Sequence, residues 1–115
     1  MATIGDPLAD VGYLCAMWVQ HDDPPLGTFE LSGVTRQAGF PTRAELVARY
    51  ERLSGRLVND IRWYSTRALW KAVVFMEGNY RRALPGSTDD LWLHGFGEGV
   101  VALAERAEQM ITSDV

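Results

Sequence analysis

Apolar positions recur along this chain at helical spacing, and prolines, glycines and aspartates punctuate the periodic stretches. The first stretch predicts a helix from Pro7 to about Gln20. Leu8, Val11, Gly12, Cys15 and Trp18 form one stripe, and Tyr13, Leu14 and Met17 fill the other side. A helix that is apolar all round is expected to be buried. Asp6 marks its start: an aspartate at the cap can accept from free backbone N–H groups, and proline at the first helical position gives up only a donor that had no partner.

His21 to Pro41, HDDPPLGTFELSGVTRQAGFP, follows no helical period, and its LGTFELSG core carries only a hint of strand. A connector this long inside a compact unit is usually functional or mobile rather than filler. Thr42 then predicts a helix cap, with Glu45 completing a capping box. Leu46, Val47, Tyr50 and Leu53 make that helix's apolar face, and Gly55 is its expected stop. The third and longest helix begins at Asn59 or Asp60 and ends before Pro85-Gly86. It carries one stripe of Ile61, Tyr64, Ala68, Leu69, Ala72, Met76 and Tyr80, and a second of Trp63, Trp70 and Val74. Two stripes call for two partners, which makes this the central helix. A last helix runs from about Leu91 to Ile111, with Val100, Leu103, Ala104, Ala107 and Met110 as its face. The expectation is an all-α unit of four helices with one long loop.

Composition changes this picture little. The 115 residues, 47% hydrophobic and 23% charged, are enough for a single modest core. A net charge of -4 argues against a nucleic-acid partner, which usually meets a basic face. The lone cysteine, Cys15, precludes an internal disulfide and fits a reducing compartment. The amino-terminal residues lack the basic and apolar regions of a secretory signal, and the charge-free run from Val11 to Val19 is too short to span a bilayer. The expected protein is soluble and cytoplasmic, without a membrane contact.

The stretch ATIGDPLADVGYLCAMW, Ala2 to Trp18, resembles a segment of the aminoglycoside phosphotransferase-like kinases. It is closest to the subgroup whose kinase-like domains are sometimes fused to acyl-CoA dehydrogenases. Further matches follow in order: GFPTRAELVARY from Gly39 to Tyr50, Ser54-Gly55-Arg56, Trp63-Tyr64, and ALWKAVVFMEGNY from Ala68 to Tyr80. The resemblance covers residues 1 to about 84 and is looser over the last helix. It implies a kinase-like fold with a nucleotide-binding small lobe and a larger helical lobe, using ATP and magnesium. It also implies that Met1 corresponds to an internal position, so that this chain would be the C-terminal helical subdomain, downstream of the family's His-Gly-Asp loop and metal-binding Asp.

The residues themselves lack that chemistry. Phosphoryl transfer requires a phosphate cradle, metal-binding carboxylates and an aspartate that orients the nucleophile. His94-Gly95 is followed by Phe96 rather than Asp, no Asp-Phe-Gly-like triplet occurs, and the only lysine, Lys71, lies mid-helix. No catalytic residue, metal ligand or cofactor is therefore assigned to this chain, and it is expected to be inactive alone. HGFGEGV, His94 to Val100, lacks the preceding strand of a phosphate loop; a helix pattern surrounds it, and its glycines read as allowing a close helix crossing or as weakening the helix start. His21 and His94 have no neighbouring ligand cluster, and Cys15 reads as a core residue.

Two sets of residues remain as candidates. Asp6 and Asp10 match positions that would buttress the catalytic loop in the family; Asp10 can equally be a solvated acid favoured by the helix dipole. Trp18, Trp63, Tyr64, Trp70 and Tyr80 could line an acceptor cleft walled by the 21–41 loop, or could be core, as could Phe75. Arg62, Arg67, Arg81 and Arg82 read as a solvated face. The first helix and the Trp63–Trp70–Val74 stripe exceed what four helices can cover, so the expected partner is a second copy or the missing N-terminal kinase portion. A stand-alone helical interaction module is the alternative function.

Overall fold

A computed structural model describes residues 4–25, 33–83 and 96–112. They form four α-helices, α1 (Pro7–Met17), α2 (Arg43–Ser54), α3 (Ile61–Ala83) and α4 (Phe96–Thr112), and a 3-10 turn at Gly33–Arg36. No strand occurs among the described residues, so the all-α expectation holds. Residues 26–32 and 84–95 lie outside them, and with them most of the LGTFELSG stretch, Pro85-Gly86 and His94.

The local signals act as their chemistry dictates. The Asp6 carboxylate accepts from the Leu8 N–H at 3.0 Å, which caps α1. Thr42 and Glu45 exchange reciprocal bonds of 3.2 and 3.3 Å in a complete capping box. Gly55 ends α2 in the left-handed region, φ 72°, where a side chain would be strained. Asp60 also has a positive φ of 58°, and its carbonyl accepts from Trp63 and Tyr64 as α3 begins. α1 stops at Met17, short of Gln20, because Trp18 is extended and the backbone of Val19 is taken by Thr35.

α3 is the spine, with α1 and α4 both packed on it and α2 touching α1. One core cluster joins Ala16, Ala68, Leu69, Leu103 and Met110 across α1, α3 and α4; a second joins Val11, Cys15 and Val47 across α1 and α2. Leu69, fully buried, contributes about 1.5–3 kcal/mol of burial.

Three sequence expectations need correction. α1 is not buried all round: Val11, Gly12, Cys15 and Ala16 are buried, but Tyr13 and Leu14 face solvent, because its neighbours cover one side only. Both partners of α3 pack on its first stripe rather than one on each; Trp63, Trp70 and Val74 are left bare at 59%, 60% and 53% exposure, in line with the expected surplus of apolar faces. Leu53 in α2 and Ala104 in α4 are exposed, whereas Arg106 takes a buried place on the α4 face.

Candidate functional site

Between α1 and α3 lies a cavity of about 580 Å³, within the range of small-molecule pockets. α1 contributes Ala9, Asp10, Tyr13 and Met17. Successive turns of α3 contribute Tyr64, Arg67 with Ala68, Lys71 with Ala72, and Phe75 with Met76. Leu103 of α4 also lines it. The periodicity is that of two helix faces looking at each other.

Glycine brings the two helices together, and alanine leaves the space between them. At Gly12 the helices approach so closely that an added Cβ would lie 2.4 Å from Tyr64 Cβ and 2.8 Å from the Tyr64 carbonyl carbon. Elsewhere along the seam, Ala9, Ala68 and Ala72 are too short to fill the gap. The walls are apolar, while Asp10, Arg67 and Lys71 bring charges of both signs.

The seam is tied at one end by Asp6. Besides capping α1, its carboxylate accepts from the Tyr64 hydroxyl. That bond, then the Leu8 N–H, holds the Asp6 carboxyl below its ordinary range, and the same contact pushes the Tyr64 phenol up. Arg67 stacks over Trp63 with its guanidinium carbon 5.7 Å from the ring centroid. Ser65, buried directly beneath Gly12, has a hydroxyl with no partner among the described residues.

At the other end of α1 is a buried polar knot. Asp23 receives Arg43 at 2.5 and 3.0 Å and Arg106 at 3.2 Å, with all three side chains less than a tenth exposed. Arg36 donates to the carbonyls of Gln20, Asp23 and Pro24, and Arg43 also donates to the Trp18 carbonyl. Burial alone would raise the Asp23 carboxyl. The hydrogen bonds from Arg43 and the Gln20 N–H, with the charges of Arg106 and Arg43, outweigh burial and hold it below its ordinary range. This knot fixes the connector to α2 and α4.

The sequence candidates are thus dispersed. Tyr64 and Asp10 line the cavity, with Asp10 exposed in the first turn of α1. Trp18 is spent elsewhere: its indole N–H donates to the Pro41 carbonyl at 2.8 Å and its ring lies 6.2 Å from Phe40. Tyr80 packs against the α3–α4 core, and Trp63 and Trp70 point to solvent. Phe75 is 70% exposed at the cavity wall, and Arg62, Arg67 and Arg81 are exposed as the solvated-face reading expects, while the Arg82 side chain lies outside the described residues. Cys15 is core, where burial raises its thiol. Sequence reasoning missed Lys71 and the alanines of the cavity, although Tyr64, Ala68, Lys71 and Phe75 share one helical face. It also missed the knot, for which Arg106, between Leu103 and Met110 on the apolar face of α4, was the available signal.

Among the described residues no three His, Cys, Asp or Glu side chains converge as metal ligands.

Over 99% of its length the chain is similar to mouse (Mus musculus) Acyl-CoA dehydrogenase family member 10, at 28% identity across 116 aligned residues. It spans 11% of that protein's length. No family model and no solved structure matches it. The aligned region takes in both helices that wall the cavity. Among the described residues no helix is long and apolar enough to cross a membrane.

Proposed function

We propose that this chain is the C-terminal helical part of an ATP-dependent small-molecule phosphotransferase of the aminoglycoside phosphotransferase-like type, acting in the cytoplasm, with the α1–α3 cavity on its acceptor side. The observation that carries this reading is the similarity, along nearly the whole chain, to a protein of the acyl-CoA dehydrogenase family, which is the association expected from the ordered motifs of α1 to α3. An apolar pocket with a few charged groups at its edge is the form that small-molecule sites usually take. In this reading Asp6 and Asp10 stand where the catalytic loop would rest, and Tyr64, held by Asp6, positions the cavity wall. ATP and magnesium belong to the rest of the enzyme, and the chain by itself neither binds nor hydrolyses ATP.

Calorimetric titration of the chain with magnesium-ATP tests the last point. The expected result is no binding heat; micromolar binding abolished by a single substitution within the chain would overturn it. The coding sequence upstream of Met1 tests the rest. An in-frame His-Gly-Asp, followed by the Asp-Trp-Glu triplet in which the resembled subgroup tends to carry its metal-binding Asp, supports the phosphotransferase reading, whereas a stop codon favours a stand-alone helical module. The bare aromatic ridge of α3 is the observation in favour of that second reading.

A further inference from the structure

The outer face of α3 carries Trp63, Trp70, Val74, Glu77 and Arg81 on successive turns, on the side away from the buried stripe, with Arg67 on the border between this face and the cavity rim. Trp63, Trp70 and Val74 are all more than half exposed. Large apolar side chains exposed together on one helix face rarely stay bare on a soluble monomer.

The order of residues along the ridge is symmetric. Arg67 and Glu77 lie equally far from Ala72 on its two sides, as do Trp70 and Val74, and Trp63 and Arg81. We propose that this face docks on the same face of a second copy, α3 against an antiparallel α3, with the two-fold axis passing the level of Ala72. In that register Trp70 meets the partner's Val74, Arg67 meets the partner's Glu77, and Trp63 meets the partner's Arg81. Each contact occurs twice, as a closed two-fold interface requires.

The charges specify this register. Within one copy Glu77 pairs with Arg81 at 2.9 Å and Arg67 lies over Trp63. Docking exchanges each for an equivalent made across the interface: Arg67 moves to a carboxylate, and Arg81 to an indole face. Little ionic energy changes, while the tryptophans and Val74 leave water, so the apolar ridge drives association and the charges select the alignment. A slip by one turn would set Arg67 against Arg81 or Val74 and lose the match. Gly78, which has open space around it, admits the close approach of a facing helix. From Trp63 to Arg81 the ridge is about 27 Å long, a single helix pair at the small end of specific interfaces, so the dimer is a weak one that dissociates on dilution. The proposal is independent of the phosphotransferase reading.

Light scattering during size-exclusion chromatography of the full chain tests it, with helical content checked by circular dichroism. The expected mass is twice 12.8 kDa at high protein concentration, falling towards 12.8 kDa on dilution. Trp70→Glu, Arg67→Glu and Glu77→Arg are each expected to weaken association about tenfold or more. An equimolar mixture of the Arg67→Glu and Glu77→Arg chains is expected to recover it, because every charged contact across the heterodimer is again between opposite signs. A mass of 12.8 kDa at every concentration overturns the proposal and assigns the ridge to another occupant, such as a preceding kinase portion. A dimer indifferent to Trp70→Glu, or a mixture no tighter than its components, overturns the interface and its register.

Discussion

The two ends of α1 are secured by opposite means. Beyond its C-terminus, Asp23 sits buried between Arg43 and Arg106, and the connector is tied by charge-assisted hydrogen bonds with short, fixed geometry. Along its N-terminal half, Gly12 lets α1 press against Tyr64 and Ser65, contact is steric, and the neighbouring alanines leave a cavity. A buried ion cluster tolerates no missing partner, because desolvated charge left uncompensated is costly. A seam of small side chains tolerates open space but not added volume. The first region can hold a shape and the second can receive a ligand.

Removing the acid of the knot should have the largest effect. Asp23→Ala leaves the Arg43 and Arg106 guanidinium groups without their shared carboxylate and is expected to destabilise the chain by about 3–5 kcal/mol. Thermal melts read this directly, and a loss well under 1 kcal/mol would show that the knot is not what holds the connector. Asp23→Asn sharpens the point through pH. The folded carboxyl ionises below its ordinary value of 3.8, so its stabilisation is complete above that value and is lost as pH falls through the folded one. Melts from neutral to acid pH should therefore show a steeper acid limb in the native chain than in Asp23→Asn.

The seam is broken by volume. Gly12→Ala places a methyl 2.4 Å from Tyr64 Cβ and against its backbone, and is expected to cost about 1–3 kcal/mol. Gly5→Ala, where an added Cβ meets nothing within 4 Å, is the control and should stay within about 0.5 kcal/mol. Equal effects of the two would remove the argument for a steric seam.

The smallest effects separate the two aspartates of α1. Asp6→Ala loses the cap and the Tyr64 contact together, and should lower the melting temperature less than Gly12→Ala does. Asp10→Ala, at an exposed position, should lower it less again. If Asp10→Ala proves the worse of the two in the same melts, the roles assigned to them are reversed.

Much of the fold was legible because its signals are local. Asp6-Pro7, the Thr42–Glu45 box and Gly55 act within a few residues of themselves, and each works in the structure as its chemistry predicts. The site was less legible. Trp18, Trp63, Tyr64, Trp70 and Tyr80 are alike as residue types, yet Tyr64 alone of the five lines the cavity. An aromatic at helical spacing states which face it lies on, not which faces find a neighbour.

The sequence by itself determined an all-α chain, the starts of α1 and α2, the stop of α2 and the central place of α3, since backbone capping and 3.6-residue periodicity are properties of short segments. Tertiary structure alone decided that both neighbours of α3 share one stripe and leave the other bare, and that Asp23, Arg43 and Arg106 meet. It also decided that a cavity opens where alanines of separate helices face each other. Those outcomes depend on how whole helices cross. At Gly12 the distance of closest approach sets that crossing for every side chain along the seam.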